Sequence, residues 1–388
     1  MHGPGRRTAL VHDFLVATRG AERVFEALCE LFPEADVFTG VYDPRGTEGR
    51  FAHRQVQATY LQRLRPNART FRALLPLYPR AIEALDLSGY DLVVSSSSAW
   101  AHGVRPAPGA VHVCYCHNPF RYAWNGLEAT LAGRDPVSRA VLRELFERWR
   151  EWDLGASRRV TRYVANSHVT RERLERCFGR EAPVVYPPVA VDRFSPRPVG
   201  EHYVALSELM PHKRVDVAVA AFNRLRLPLV VIGDGPDARR LQRMAGPTVR
   251  FAGRVRDEQV PELLGSARAL VVPAAEEFGI AAVEAQAAGR PVIGLRAGGL
   301  LETVLEGRTG TLFEGEDADA LAEAVRAFDP AAIDPRECVS QAARFAPERF
   351  AKGMRQVVSA EQAGALTTPA PTAQPAVATD DHAVVPSG

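Results

Sequence analysis

Short apolar runs alternate, from one end of the chain to the other, with segments in which apolar residues recur at helical spacing. That alternation predicts α/β architecture with parallel sheets. In the first half, Thr8–Val11, Asp91–Val94, Val111–Tyr115 and Arg162–Asn166 read as strands. Between them Val24, Phe25, Leu28 and Leu31 form an apolar helical stripe, and residues 171–178 continue another helix. The stretch 185–198, VYPPVAVDRFSPRP, breaks the pattern, because proline removes a backbone donor and restricts the residue before it. It marks a domain boundary. Beyond it Tyr203–Leu206, Leu229–Ile232, Val249–Phe251, Ala269–Val272 and Pro291–Ile293 read as strands, each followed by a helical segment, as in a doubly wound domain. The expected organisation is a first Rossmann-like domain over 1–195, a second over 196–345, a helix over 346–362 and a disordered Ala-, Thr- and Pro-rich tail over 363–388.

Composition narrows the class. The chain has 388 residues, enough for two α/β domains of ordinary size. Its net charge of +2 gives no global reason to expect nucleic acid. No apolar stretch approaches the length of a bilayer span, and the first apolar run is cut by His12 and Asp13, which reads as a strand and not a leader. Five cysteines without a paired framework point to a cytoplasmic protein. Among 48 basic residues only Lys213 and Lys352 are lysines, so a lysine in a loop stands out.

In an open parallel sheet, ligands collect beyond the carboxyl ends of the strands. The richest such loop lies in residues 271–289, VVPAAEEFGIAAVEAQAAG. A buried strand ends in a polar loop, Phe278 and Gly279 open a helix, and Glu284 lies within it. A helix start offers unpaired N–H groups and partial positive charge, which suit a diphosphate. A carboxylate accepts two hydrogen bonds from a vicinal diol, which suits ribose or a sugar. Glu276 and Glu284, eight positions apart, bracket this anion site. Upstream, Lys213 and Arg214 follow a strand and open a helix, where a cation can neutralise charge growing on a leaving diphosphate. Gly233-Asp234-Gly235-Pro236 is a tight turn after a strand. Cys116 to Trp124, CHNPFRYAW, concentrates His117, Arg121 and aromatic residues after another strand.

Glu276 and Glu284, with Phe278, Gly279, Ala285, Ala288, Gly289 and Pro291 in step, resemble the E-x-x-x-x-x-x-x-E signature of family 4 retaining glycosyltransferases. Gly298, Gly299 and Glu302 resemble the family's Gly-Gly-x-x-Glu turn, and the likeness extends over roughly residues 9–328. It implies a GT-B fold, two Rossmann-like domains facing a central cleft. By that resemblance Glu284 holds the donor ribose, Glu276 contacts the transferred sugar, and the amides of Phe278, Gly279, Ile280 and Ala281 face the diphosphate. Lys213 resembles the phosphate-binding lysine, and Gly233 and Gly235 a turn near the nucleotide. His117 is implied to touch the sugar and Arg121 to serve the acceptor or phosphate side. The H-x-P-x-R-Y-x-W run is similar to that of mannosyltransferases of polysaccharide assembly and favours GDP-mannose as donor. Gly20 lies in a turn resembling the family's Gly-Gly-Ala-Glu, against the diphosphate.

Two positions depart from the family pattern. Arg19 stands where the first glycine of that turn belongs, adding a charge or crowding the site. Glu208 stands where the family often has arginine, so either Arg214 supplies the second charge or Glu208 orients Lys213. The expected chemistry is transfer of a hexose from a nucleotide diphosphate sugar to a glycan, lipid-linked or small-molecule acceptor, with no cofactor and no metal. Two alternatives are a sugar-nucleotide 2-epimerase of the same fold and a catalytically silent nucleotide-sugar-binding partner. Asp317-Ala318-Asp319 matches a metal motif of another transferase class but reads as a helix cap, and Cys114 and Cys116 lack a second ligand pair at zinc spacing. Residues 55–80 mix arginine with Leu, Tyr and Phe, as either a solvated helix pair or a surface for anionic lipid at the inner face of the membrane.

Overall fold

The computed structural model describes residues 7–124, 131 and 133–367. Two six-stranded sheets, parallel throughout, form the two domains. The first has the order β3-β2-β1-β4-β5-β6, built from β1 Thr8–His12, β2 Asp36–Thr39, β3 Val56–Ala58, β4 Leu92–Ser97, β5 Val111–Cys116 and β6 Arg162–Ala165. The second runs β12-β11-β10-β7-β8-β9, from β7 Tyr203–Leu206, β8 Leu229–Ile232, β9 Val249–Gly253, β10 Leu270–Val272, β11 Val292–Leu295 and β12 Gly310–Phe313. The expected strands are all present, within a few residues at their ends. The edge strands β3 and β12, and β2 next to β3, were not anticipated.

Central strands are buried on both faces because helices cover both sides of each sheet. Every residue of β4 and β5 is buried. The helix Gly20–Leu31 packs Val24, Phe25 and Leu28 against Leu10, Val37 and Val94. In the second domain the helix Val215–Leu225 covers one face with Phe222, and the helix Ile280–Ala287 covers the other with Ala282, Val283 and Ala285.

The last helix, Pro347–Thr367, is longer than the expected 346–362 and returns to the first domain. There Phe350, Met354 and Val358 join Val24, Phe25 and Tyr115 in one core, and Glu361 meets Arg162 at 2.7 Å. The part of the expected disordered tail from 368 onward lies outside the described residues.

Residues 55–80 are not a helix pair. They contain β3, two 3-10 turns, Tyr60–Leu64 and Phe71–Leu77, and the start of the helix Tyr78–Glu83. Pro66 lies between the two turns, and the second, which contains Pro76, runs directly into that helix. Asp317 is a cap, accepting from the amides of Asp319 and Ala320 at 2.9 Å. All five cysteines are free and buried. No helix among the described residues is long and apolar enough to cross a membrane.

Candidate active site

Each sheet reverses its strand order once, between β1 and β4 and between β7 and β10, and such reversals open the crevices where ligands enter doubly wound folds. In the first domain the chain fills that crevice itself. Asp13, just after β1 and buried, accepts from the amides of Ser98, Ala99, Trp100 and Ala101 at 2.6, 3.0, 2.7 and 2.6 Å. An internal carboxylate thus occupies the anion-binding amides. The crevice of the second domain, between the loops after β7 and β10, is where the predicted residues gather.

The loop after β10 is shaped by glycine. Gly298 and Gly299 lie so close to it that a Cβ on Gly298 would stand 2.2 Å from the Glu276 carbonyl oxygen, and one on Gly299 would stand 2.3 Å from Phe278 Cα. Gly299 donates its amide to that Glu276 oxygen at 2.7 Å. Phe278 anchors the loop from within, its buried ring 5.6 Å from Tyr186 and 5.2 Å from Phe345. Gly279 then turns the chain at φ +92° into the helix Ile280–Ala287. The amides of Phe278, Gly279, Ile280 and Ala281 donate to no backbone carbonyl among the described residues, as expected of a helix start.

Lys213 ends a 3-10 turn after β7, and its Nζ reaches Glu276 Oε2 at 2.5 Å. Burial pushes its ammonium down, but Glu276 and Glu277 outweigh that and hold it above the ordinary lysine value. Gly233 and Gly235 lie against the Ser207–Leu209 backbone. Leu209 donates to Asp234 O at 2.9 Å and accepts from the Asp237 amide at 3.0 Å, so this turn braces the loop that delivers Lys213.

Two expectations are corrected here. Arg214 adopts φ +49°, which separates its direction from that of Lys213. Its guanidinium goes to the Glu316 carbonyl at 2.9 Å and to Asp216 at 3.6 Å, and not to the Lys213–Glu276 pair. Glu208 does not orient Lys213. It meets Arg19 at 3.3 Å and Arg72 at 3.7 Å, so Arg19 adds a charge across the cleft.

The first domain supplies the opposite wall. Gly20 opens its helix so near the other helix start that a Cβ there would stand 3.0 Å from Ile280 Cδ1. Three positions on, Arg23 meets Glu284 at 3.1 Å and Asp257 at 2.8 Å. Burial raises the Glu284 carboxyl above its usual range, and Arg23 opposes that. His117 Nε2 is 2.8 Å from Ser96 Oγ, which also meets His12 Nδ1 at 3.1 Å. Burial holds His117 down to about 3 and His12 down to about 4, so both rings are neutral near pH 7. Arg121 pairs with Glu277, next to Glu276, and Arg173 approaches the same carboxylate at 3.5 Å. That carboxylate is lowered, because Arg121, Lys213 and Arg173 together outweigh its burial.

Sequence reasoning missed several members of this cleft: Arg23, Arg72, Asp257, Glu277 and Arg173. It also left Glu302 without a partner, although its carboxylate receives the amides of His168 and Val169, at 2.9 and 3.3 Å, at the start of the helix His168–Phe178 in the other domain. The signal available was the number of carboxylates after β10, where Glu277 adjoins Glu276.

Comparison with known proteins gives this geometry a lineage. The model for glycosyltransferase family 4 matches residues 18–193, and that for glycosyl transferases group 1 matches residues 201–328. A GDP-mannose-dependent alpha-(1-6)-phosphatidylinositol monomannoside mannosyltransferase of Mycolicibacterium smegmatis is 34% identical over 223 residues, covering 49% of this chain and 56% of that protein. A D-inositol 3-phosphate glycosyltransferase of Streptomyces avermitilis is 34% identical over 208 residues, covering 44% and 45%. The chain spans about half the length of these curated relatives. Among solved structures, sucrose-phosphate synthase from Thermosynechococcus elongatus superposes with a TM-score of 0.72 at 21% identity, over 92% of this chain and 100% of that one. Anabaena HepE gives 0.69 at 18% identity, over 91% and 99%. With two family models meeting at the interdomain linker and the paired parallel sheets of the GT-B fold, the chain belongs to family 4 of the glycosyltransferases.

Proposed function

We propose that this protein is a retaining hexosyltransferase whose donor is a nucleotide diphosphate sugar, with GDP-mannose preferred, and whose acceptor is a glycan, a lipid-linked sugar or a small polyol. The observation that carries the reading is the contact of Lys213 with Glu276 beside a helix start whose amides are not taken by backbone carbonyls. A cation and converging N–H groups in a partly buried cleft stabilise a departing diphosphate more strongly than they do in water. The name of the mannosyl relative supports GDP-mannose.

In this scheme the donor lies against the second domain, with Glu284 toward the ribose, Glu276 toward the transferred sugar and the amides of 278–281 toward the diphosphate. His117 and Arg121 face it from the first domain. The bond from the sugar's anomeric carbon to the phosphate oxygen breaks, and the acceptor hydroxyl bonds to that carbon on the same face. The hydroxyl proton passes to the departing phosphate. Lys213 and the helix amides supply the stabilising charge, so turnover proceeds without a divalent metal and persists in EDTA. Exposed Tyr60 and Leu64, interleaved with Arg63 and Arg65, support docking of the first domain on an anionic membrane face at the cytoplasmic side.

The test is donor consumption with GDP-mannose, UDP-glucose and UDP-N-acetylglucosamine, with and without candidate acceptors. Acceptor-dependent release of GDP, lost by about a hundredfold or more in Lys213→Met with the fold intact, supports the reading. Rapid donor turnover that ignores acceptors points instead to the epimerase or hydrolase alternative, and binding without turnover in the wild-type protein removes the enzyme.

A further inference from the structure

Glu208, on the loop after β7, faces two guanidinium groups from the other domain. Its Oε1 stands 3.3 Å from Arg19 and 3.7 Å from Arg72. One carboxylate oxygen serves two cations, which leaves the trio with a net positive charge. Both contacts are long beside the 2.7–2.9 Å of a well-formed charge-assisted hydrogen bond, so Glu208 holds neither arginine tightly. The two guanidiniums share an apolar neighbour instead. Both lie over the ring of buried Phe71, at 5.9 and 5.0 Å from its centroid. All three charged side chains are about one-third exposed, at 31%, 36% and 32%, and so remain open to a solute.

The position of the trio gives it a purpose. Arg19 precedes Gly20, which abuts Ile280 at the start of the helix beside Lys213. On the other side His212, adjacent to Lys213, lies within electrostatic reach of Arg72 and Arg121. Planar guanidiniums suit phosphate, whose oxygens can each take a donor pair, better than they suit a single shared carboxylate oxygen.

We propose that Arg19 and Arg72 form a phosphate subsite of the cleft, and that Glu208 is the counter-ion a bound phosphate displaces. The proposal rests on the donor-binding reading above. The phosphate comes either from the donor diphosphate or from a phosphoryl group on the acceptor. In both cases Glu208 opposes the ligand and the arginines attract it, so substitutions on the two sides of the trio have effects of opposite sign.

The experiment compares the full-length wild-type chain with Arg19→Gln, Arg72→Gln and Glu208→Gln. Titration calorimetry with GDP reads the donor phosphates. Thermal shift by inorganic phosphate, added to GDP-saturated protein, reads a phosphate site apart from them. Thermal unfolding without ligand checks that each variant folds. The expected result is that each arginine variant weakens one of the two probes by about tenfold, while Glu208→Gln strengthens the same probe by about threefold or more. The probe that responds identifies the source. Equal affinities in all four proteins overturn the proposal while leaving the donor reading intact. So does weakening by Glu208→Gln in parallel with the arginine variants, which is what a purely structural clasp produces. A wild-type protein that binds neither GDP nor UDP overturns the donor reading and this subsite together.

Discussion

Replacing Asp13 with alanine tests whether the first domain plugs its own crevice. The wild-type carboxylate accepts four backbone amides at 2.6–3.0 Å, and the hydroxyl of Ser98 at 3.0 Å. Alanine leaves three buried donors and one half-buried donor without an acceptor, at about 1–3 kcal/mol each. Some relaxation and entry of water reduce the sum, so the lower end, about 4 kcal/mol, is the expected loss. That is a large part of the roughly 5–15 kcal/mol that holds a domain together. Asp13→Asn keeps one acceptor oxygen but turns an NH2 group toward two of the amides, and is expected to lose about half as much. The assay is urea unfolding followed by tryptophan fluorescence. All four tryptophans, Trp100, Trp124, Trp149 and Trp152, lie in the first domain, so the signal isolates it. With a slope of about 2 kcal/mol per molar urea, alanine lowers the midpoint by about 2 M. A midpoint within about 0.5 M of wild type, equivalent to under about 1 kcal/mol, refutes the argument.

Three further outcomes follow from the geometry. Burial pushes Glu22 up to about 7, from the ordinary 4.5, with Arg19 opposing. The folded chain therefore holds this proton where the unfolded chain releases it, so wild type loses stability relative to Glu22→Gln as pH rises from about 4.5 to 7; parallel melting curves at pH 5 and pH 8 contradict this. Glu302→Ala removes the acceptor for the His168 and Val169 amides and costs about 1 kcal/mol, read as a lower melting temperature and faster proteolysis near residue 168. The pairs of Glu208, Asp257, Glu277 and buried Glu284 with arginines of the first domain span the cleft, and the arginines are partly exposed. Raising salt from about 0.05 to 0.5 M screens them, so the radius of gyration from small-angle scattering increases; an unchanged radius shows that apolar contacts alone hold the domains closed.

The parts of this molecule that could be read along the chain are those whose physics is local. Central strands announce themselves as apolar runs, and the helix start at Gly279 lies within ten residues of both Glu276 and Glu284. Strands β2, β3 and β12 escaped because they are only three or four residues long and carry polar residues, as in Val56-Gln57-Ala58 at the edge of its sheet. The opposite wall of the cleft was illegible for a different reason. Arg23 finds Glu284 261 residues away, and nothing near either marks the other as its partner. Arg19 and Glu208 are instructive, because each stood out as a misfit in its own motif and only their contact in space relates the two. Arg214 shows the converse: adjacency to Lys213 suggested a shared task, but a single left-handed backbone turn sends the two side chains to different neighbours.

The return of the helix Pro347–Thr367 to the first domain has a consequence for biosynthesis. Chains usually fold from the end that leaves the ribosome first, yet here the earliest domain waits for Phe350, Met354 and Val358 to close its core. Until residues 350–358 have left the ribosome, the nascent protein presents an open apolar seam around Val24, Phe25 and Tyr115, which makes that seam a place for a chaperone to sit and release late.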